Sequence, residues 1–495
     1  MTRSASADTS PEVAIDVTLY DDAAAAQIPL TYVGLSYELA QLSDPTFFST
    51  ANRDLVSNFR LLSANGVLRL GGNTSEFCWL RVNASTPEPK LHVPPGNLDA
   101  NWMPHRLFAI PPESIDALAG FLRATGWRLI YGVNFGNSTP QRAAEEAAYV
   151  AQKIGDRLEF FQIGNEPDLY IKATNGTRPP GWSFADYVRE WTGFAEAIVA
   201  RVPNARFGGP DVAASSVWVT QFGEQVPASI APRLVALTGH YYAAGPPDDP
   251  KVTIERLLAG NPKIAVETKA IVASARQHAR IYRMTEGNSC YRGGKPGMSD
   301  AFAAALWAGD YMLELASLGC AGVNLHGGRS EFLTAGLGGH TPGMNVAKTP
   351  QAVPSGFYSP IQSESGREPK AMPVFYGMML ANQFAGHRML RAECDLKGVN
   401  LTAYAGRREQ SVKVAVFNKD EQAVLLSIRS EHLVRTAAAW RLQSPSLDST
   451  VDVTLAGAQI QAEAHWSPSA ELIEVRNGVT HLIVPAGSAA LLFLD

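Results

Sequence analysis

The sequence predicts an α/β protein: a (β/α)8 barrel with an appended all-β sandwich domain. Three observations carry this prediction. Eight short apolar runs, starting near Tyr32, Val67, Trp127, Leu158, Arg206, Leu234, Arg280 and Ala321, alternate with helical periodicity over about 300 residues. Polar side chains gather directly after almost every run, whereas a doubly wound sheet collects them mainly at one switch point. From about Met389 the pattern changes to short β runs separated by turns.

Taken in order, Val13, Ile15, Val17 and Leu19 alternate with Ala14, Asp16 and Thr18, the period-two pattern of a half-buried strand. A lone strand needs a sheet made elsewhere, so this one is expected to complete the C-terminal β domain. Ile115, Leu118, Phe121 and Leu122 follow Pro112 and Ser114 at helical spacing. Thr139-Pro140 opens a helix over 141–154 as an N-cap followed by a favoured first-turn proline. A third helix is expected over 301–318 and a last barrel helix over 373–384. Between these two, residues 327–370 are rich in Gly, Pro and Ser without periodicity, the pattern of a lid, a pocket wall or a disordered insert. The β runs are expected at 401–404, 412–417, 423–428, 439–442, 451–455 and 481–494. With 495 residues the chain exceeds one hydrophobic core, and the expected division is a barrel over 25–388 and a sandwich of 10–24 plus 389–495.

Composition excludes several classes of function. A net charge of −5 provides no basic face for nucleic acid or anionic lipid, and no apolar run approaches the ~20 residues that span a bilayer. The first residues lack an apolar signal core, which leaves a cytoplasmic protein or a processed secreted form as the expectation. Cys78, Cys290, Cys320 and Cys394 show no CxxC spacing and are expected to be mostly buried thiols. There is no HExxH, no Cys/His cluster and no GxSxG elbow, and Gly336-Leu337-Gly338-Gly339-His340 is neither a dinucleotide fingerprint nor a P-loop. Neither a metal nor a cofactor is expected.

The chemistry lies at the carboxyl ends of the predicted strands, where barrels assemble their sites. In chain order these ends carry Glu38, Asn73, Asn134 with Asn137, Asn165-Glu166, Asp211, His240-Tyr241-Tyr242, Thr285-Glu286, and Asn324 with His326. The apolar run Phe160-Phe161-Gln162-Ile163 breaks abruptly into Gly164-Asn165-Glu166-Pro167, which exposes a carboxylate where a buried strand stops. Glu286 closes the seventh run. Two carboxyl groups facing across a barrel mouth are the parts glycoside hydrolysis needs: about 5–5.5 Å apart for retention, wider for inversion.

Ile163-Gly164-Asn165-Glu166-Pro167, with a Glu closing the seventh strand, resembles the clan A retaining glycoside hydrolases. Leu68-Arg69-Leu70-Gly71-Gly72-Asn73, His240-Tyr241-Tyr242, Thr285-Glu286 and the Gly-rich turn after it look more narrowly like glycoside hydrolase family 79, the β-glucuronidases and heparanases. Gly34-Leu35-Ser36-Tyr37-Glu38-Leu39 through Phe77-Cys78-Trp79 looks closest to bacterial exo-β-glucuronidases. The resemblance implies a retaining exo-β-D-glucuronidase with Glu166 as acid/base and Glu286 as nucleophile. It further implies that Asn165 bonds the sugar 2-hydroxyl, that Tyr241 or Tyr242 donates to Glu286, and that Glu38 and Asn73 contact sugar hydroxyls. A glucuronate carboxylate calls for backbone N–H groups, a cation and hydroxyl donors. Tyr291, Gly293, Gly294 and Lys295 offer that set, and His326 is a further substrate-binding candidate. Arg69 is expected to tie barrel layers together or support the nucleophile, and Trp79 and Trp102 are candidates for stacking on sugar. The implied partner is a β-glucuronide or glucuronic-acid-containing glycan, with no nucleic acid and no membrane. The alternatives are an endo-acting heparanase-like enzyme and a non-catalytic carbohydrate-binding protein on the same scaffold.

Overall fold

The structure, a computed structural model, describes residues 13–21, 26–90, 107–171, 177–337, 356–364, 366–431 and 434–495. Trp102, residues 338–340 of the glycine-rich stretch and the expected domain-edge residues 10–12 and 22–24 lie outside them. Eight parallel strands close into a TIM barrel: Val33–Glu38, Val67–Gly71, Arg128–Val133, Leu158–Ile163, Phe207–Val212, Leu234–Ala244, Ile281–Cys290 and Val323–Gly327, in that order around the ring. Every predicted run is a strand because apolar side chains are wanted on both faces of a sheet covered by helices. Inside, Val67, Ile130, Phe160 and Ala236 form an apolar layer. Above it the filling turns polar with Arg69, Gln162, Thr238 and Thr285, all essentially buried.

The helices obey their local signals. Pro112–Thr125 starts on a proline, and Pro140–Ile154 is capped by Thr139, whose side chain accepts from the Arg142 N–H. Phe302–Ser317 and Pro373–Asn382 are buried on nearly all sides and pack at unusually short range. Gly377 permits this, since a Cβ there would lie 2.0 Å from the Ala305 carbonyl oxygen. The stretch 327–370 carries more structure than its composition indicates: a short helix Ser330–Gly336 and a small ladder of Ile361–Gln362 with Lys370–Ala371.

The all-β domain is one continuous 11-stranded sheet curled on itself around a core of Val, Leu and Ile side chains. Strand Val13–Tyr20 joins its two leaves, pairing antiparallel with Arg388–Cys394 and parallel with Val424–Ser430. The single run expected over 481–494 is two strands, Val479–Val484 and Ser488–Leu494, and they serve different parts of the sheet. The four cysteines are free; Cys78, Cys290 and Cys320 are buried and Cys394 is partly exposed. Among the described residues no helix is long and apolar enough to cross a membrane.

Helix Phe302–Ser317 couples the two parts. Its Asp310 accepts from Thr402 Oγ1 (2.6 Å), Tyr404 Oη (2.7 Å) and Lys419 Nζ (2.5 Å), and the Lys419 side chain is only 5% exposed. Asp310→Ala strands a buried ammonium and should cost about 3–5 kcal/mol. The expected result is a lower urea midpoint than wild type, with Asp310→Asn in between; an unchanged midpoint for Asp310→Ala contradicts this coupling.

Candidate active site

The fourth strand ends in a conformation that only its surroundings can hold. Gly164 has φ 87, and a Cβ there would lie 2.9 Å from Tyr170 Oη. Glu166 itself is left-handed at φ 50, ψ 51, a conformation costing of order 1–3 kcal/mol for a non-glycine residue. Two buried or half-buried carboxylates offset that cost by gripping backbone. Glu76 accepts from the N–H groups of Asn165 (2.6 Å), Phe135 (2.9 Å) and Gly136. Asp168 accepts from Ala213, Ala214 and Ser215 and so ties the fourth loop to the fifth.

At the barrel centre lies Arg69, 1% exposed. Its guanidinium donates to Glu286 Oε2 (2.5 Å), Asp211 Oδ2 (2.5 Å), Asn165 Oδ1 (2.8 Å), Gln162 Oε1 (3.1 Å) and Ser36 Oγ (3.1 Å). Tyr242 Oη donates to Glu286 Oε1 at 2.8 Å. His240 bridges two carboxylates, with Nδ1 3.0 Å from Glu166 Oε1 and Nε2 3.2 Å from Asp211 Oδ1. His326 Nδ1 is 2.9 Å from Ser36 Oγ and 3.7 Å from Glu286 Oε2.

These contacts drive the proton affinities of the two strand-end glutamates in opposite directions. Burial opposes charge on Glu286, but His326, His240 and Arg69 beside it and the Tyr242 hydroxyl hold its carboxyl well below the usual range. Burial pushes Glu166 up, the bond to His240 pulls it back in part, and the negative charge of Glu286 adds to the rise. Asp211 is held far below the ordinary carboxyl range by Arg69 and His240 despite burial. His240, opposed by burial but facing Asp211 and Glu286, is raised to about 10.

A cavity of about 600 Å³ opens over these groups. Of the residues singled out in the sequence, Glu38, Asn73, Glu166, Tyr241, Tyr242, Glu286, Tyr291 and His326 line it. Asn165 lies just beneath, its Nδ2 donating to Asn73 Oδ1 at 3.1 Å. Glu38 accepts from Thr74 N and Oγ1, and Asn73 Nδ2 donates to the Gly336 carbonyl. Tyr241 does not reach Glu286; its ring stacks on Tyr311 at 5.4 Å. Lys295 does not line the cavity: its Nζ donates to the Val252 carbonyl at 2.5 Å. Gly293 and Gly294 are not on the wall either. They buttress the stretch that carries Tyr358: the Gly293 carbonyl accepts from Gly356 N, and a Cβ at Gly294 would lie 2.7 Å from Tyr358 N. Trp79 is buried away from the cavity. Reading the sequence overlooked Arg292 and Tyr358 on the wall and Glu76 beneath Asn165, and it placed His240 and Asp211 at strand ends without giving them a role between the carboxylates. A polar residue directly after a strand was the available signal for His240 and Asp211. Glu166, His240 and Glu286 present ligand-type atoms within 4.8 Å of one another; His240 Nδ1 is engaged by Glu166, while Nε2 lies 3.2 Å from Asp211 Oδ1 without a hydrogen bond.

No protein-family model matches the chain. It is 27% identical over 351 residues to a β-glucuronidase of Aspergillus niger, covering 64% of this chain and 62% of that protein. It is 27% identical over 356 residues to a β-glucuronidase of Neurospora crassa, covering 64% and 60%. The matches therefore span somewhat under two thirds of those relatives' length. The crystal structure of a 4-O-α-L-rhamnosyl-β-D-glucuronidase from Fusarium oxysporum aligns over 98% of this chain and 100% of its own, with TM-score 0.74 and 18% identity, which is agreement in fold.

His240 supplies a direct check on this electrostatic arrangement. Its folded pKa of about 10 lies above the usual 6.5, so its contribution to stability is complete below pH ~6.5 and is lost as pH rises towards 10. In imidazole 15N spectra His240 should remain doubly protonated at pH 8; a midpoint between 6 and 7 contradicts the bridge.

Proposed function

We propose that the protein is an exo-acting, retaining β-D-glucuronidase. The observation that carries the reading is the pair Glu166 and Glu286, whose carboxylate oxygens approach within 4.8 Å and whose proton affinities are driven apart. So close an approach of one oxygen from each carboxyl favours the retaining separation of about 5–5.5 Å between the groups over the roughly 6.5–9.5 Å that admits an inverting water.

In this reading ionised Glu286 attacks the anomeric carbon while Glu166 gives its proton to the leaving oxygen. Glu166, now a carboxylate, then takes a proton from the water that cleaves the glycosyl-enzyme. Glu166 has to gain and lose a proton without moving, and the left-handed backbone gripped by Glu76 and Asp168 supports that. Asn165 is fixed by Arg69 at its carbonyl and by Asn73 at its amide nitrogen, a disposition suited to the sugar 2-hydroxyl. The curated relatives named as β-glucuronidases support glucuronate as the sugar. So does Arg292, which lies on the cavity wall over the Tyr291 ring, 5.5 Å from its centroid, where it offers a guanidinium to a C6 carboxylate. Exo action is supported by the enclosure that Leu333, Leu337 and Tyr358 add to the cavity wall, and by a net charge of −5, unlike a reader of sulfated polymers.

The test is hydrolysis of an aryl β-D-glucuronide and the matching β-D-glucoside. Glu286→Ala should abolish turnover, and Glu166→Ala should reduce kcat about 10²–10⁴-fold. Arg292→Ala should lower kcat/KM for the glucuronide roughly 10–100-fold and leave any glucoside rate unaffected. Equal wild-type rates on the two sugars defeat carboxylate recognition, and a first-formed α-anomer seen by NMR defeats retention.

The pH profile provides a second check. The acid limb should follow Glu286, below the ordinary carboxyl range, and the alkaline limb Glu166, above it. His240→Gln removes a positive charge beside Glu166, so the alkaline limb should move to higher pH. A shift to lower pH contradicts the assignment of Glu166 as the proton donor.

A further inference from the structure

The cavity is larger than one sugar ring requires, and part of it lies outside the barrel. Its volume of about 600 Å³ is in the range of about 300–1,000 Å³ typical of sites that enclose a drug-sized ligand. On the seventh strand Arg283 and Thr285 point into the barrel, to Asn324 and Asp211. Tyr282 and Met284, which alternate with them, face the helix layer, yet they line the same cavity as Glu166 and Glu286. The passage lies where the fifth and sixth strands part, since their pairing ends at Val212 and Gly239. Gly239 borders it without a side chain; a Cβ there would sit in ordinary contact, 3.6 Å from Val219 and 3.8 Å from Val212, and so narrow the gap between them. Beyond the gap the lobe runs between helices Ser216–Gln225 and Pro262–Gln277, where Ile264 and Ile271 give it an apolar wall.

At its inner wall is Thr268, 1% exposed, whose Oγ1 has no hydrogen-bond partner. A buried hydroxyl left unpaired costs about 1–3 kcal/mol, a cost that a bound polar group would remove. The lobe also begins on the correct side for a leaving group. Leu169, Val212 and Ala213 lead into it from Glu166, the residue that protonates the departing oxygen.

We infer that this lobe is the aglycone site, and that it takes an apolar, fused-ring leaving group bearing a polar substituent at its far end. The inference rests on the proposed glucuronidase reading and adds the chemical class of the leaving group. It requires three β-D-glucuronides to be ranked by kcat/KM: 6-hydroxy-2-naphthyl above 2-naphthyl above methyl.

The experiment measures these three ratios in wild type, Thr268→Val and Ile264→Trp. Thr268→Val should erase the preference for the hydroxynaphthyl over the naphthyl substrate, about 2–10-fold, while preserving naphthyl over methyl. Ile264→Trp fills the lobe and should reduce the naphthyl-to-methyl ratio at least tenfold. Ratios unchanged in both variants overturn the inference even if every glucuronide is cleaved. If no glucuronide is cleaved, the glucuronidase reading fails instead, and fluorescence titration with 2,6-dihydroxynaphthalene still decides the lobe. Wild-type binding that Thr268→Val weakens supports the site, and equal or absent binding overturns it. Because Thr268→Val is nearly isosteric, the test survives if Ile264→Trp does not fold.

Discussion

A guanidinium buried at the centre of a barrel is the constraint around which this molecule is arranged. An isolated ion taken from water costs several kcal/mol, so Arg69 is tolerable only with its anions in place. Asp211 and Glu286 satisfy it directly, and His240 adds a second cation against Asp211 and Glu166. Two cations facing three carboxyl groups leave one carboxyl without a full counter-charge. Glu166, which is not among the groups Arg69 bonds, carries that deficit: burial and the charge of Glu286 raise its proton affinity, and the bond to His240 offsets the rise only in part. The opposite shifts of the two glutamates are thus a consequence of charge balance in a dry interior.

Geometry at the mouth is held by carboxylates that grip backbone. Glu76 grips three backbone N–H groups on two loops, and Asp168 grips three more at the start of the next helix. Loop backbone is ordinarily soft, and a left-handed Glu166 would relax into a commoner conformation if these grips were absent. The walls of the cavity are thus set from beneath, by bonds to backbone.

Much of this was legible in the sequence because it is local. Period-two and continuous apolar runs announce strands, Thr139-Pro140 announces a helix start, and a carboxylate after a buried run stands out as unpaid desolvation. What escaped was contact between distant strands. His240 was visible as a strand-end residue, but its place between Glu166 and Asp211 depends on how three strands close. Within Tyr291-Arg292-Gly293-Gly294-Lys295 the cation on the cavity wall is Arg292, at φ 66, while Lys295 turns away to the Val252 carbonyl. Both are basic and three residues apart, and only the turn conformation separates them. The helix Ser330–Gly336 escaped for a related reason: seven residues are too few for periodicity to declare itself.

The three carboxylates also share a feature that strand patterning hides. Successive side chains on a regular strand point to opposite faces, so Thr285 and Glu286 should not both enter the barrel. They do, Thr285 donating to Asp211 and Glu286 accepting from Arg69, because the ladder slips one residue between Met284 and Glu286. The fifth strand slips likewise between Pro210 and Val212, with Asp211 at φ 63, and the fourth ends at left-handed Glu166. A bulge re-aims a side chain at the expense of ladder bonds. Regular strands would have delivered one carboxylate each to the same depth at ring spacing. Three irregularities bring them instead within reach of one guanidinium and one imidazole, so the departures from ideal barrel geometry are what convert a ring of strand ends into a site with two distinct glutamates.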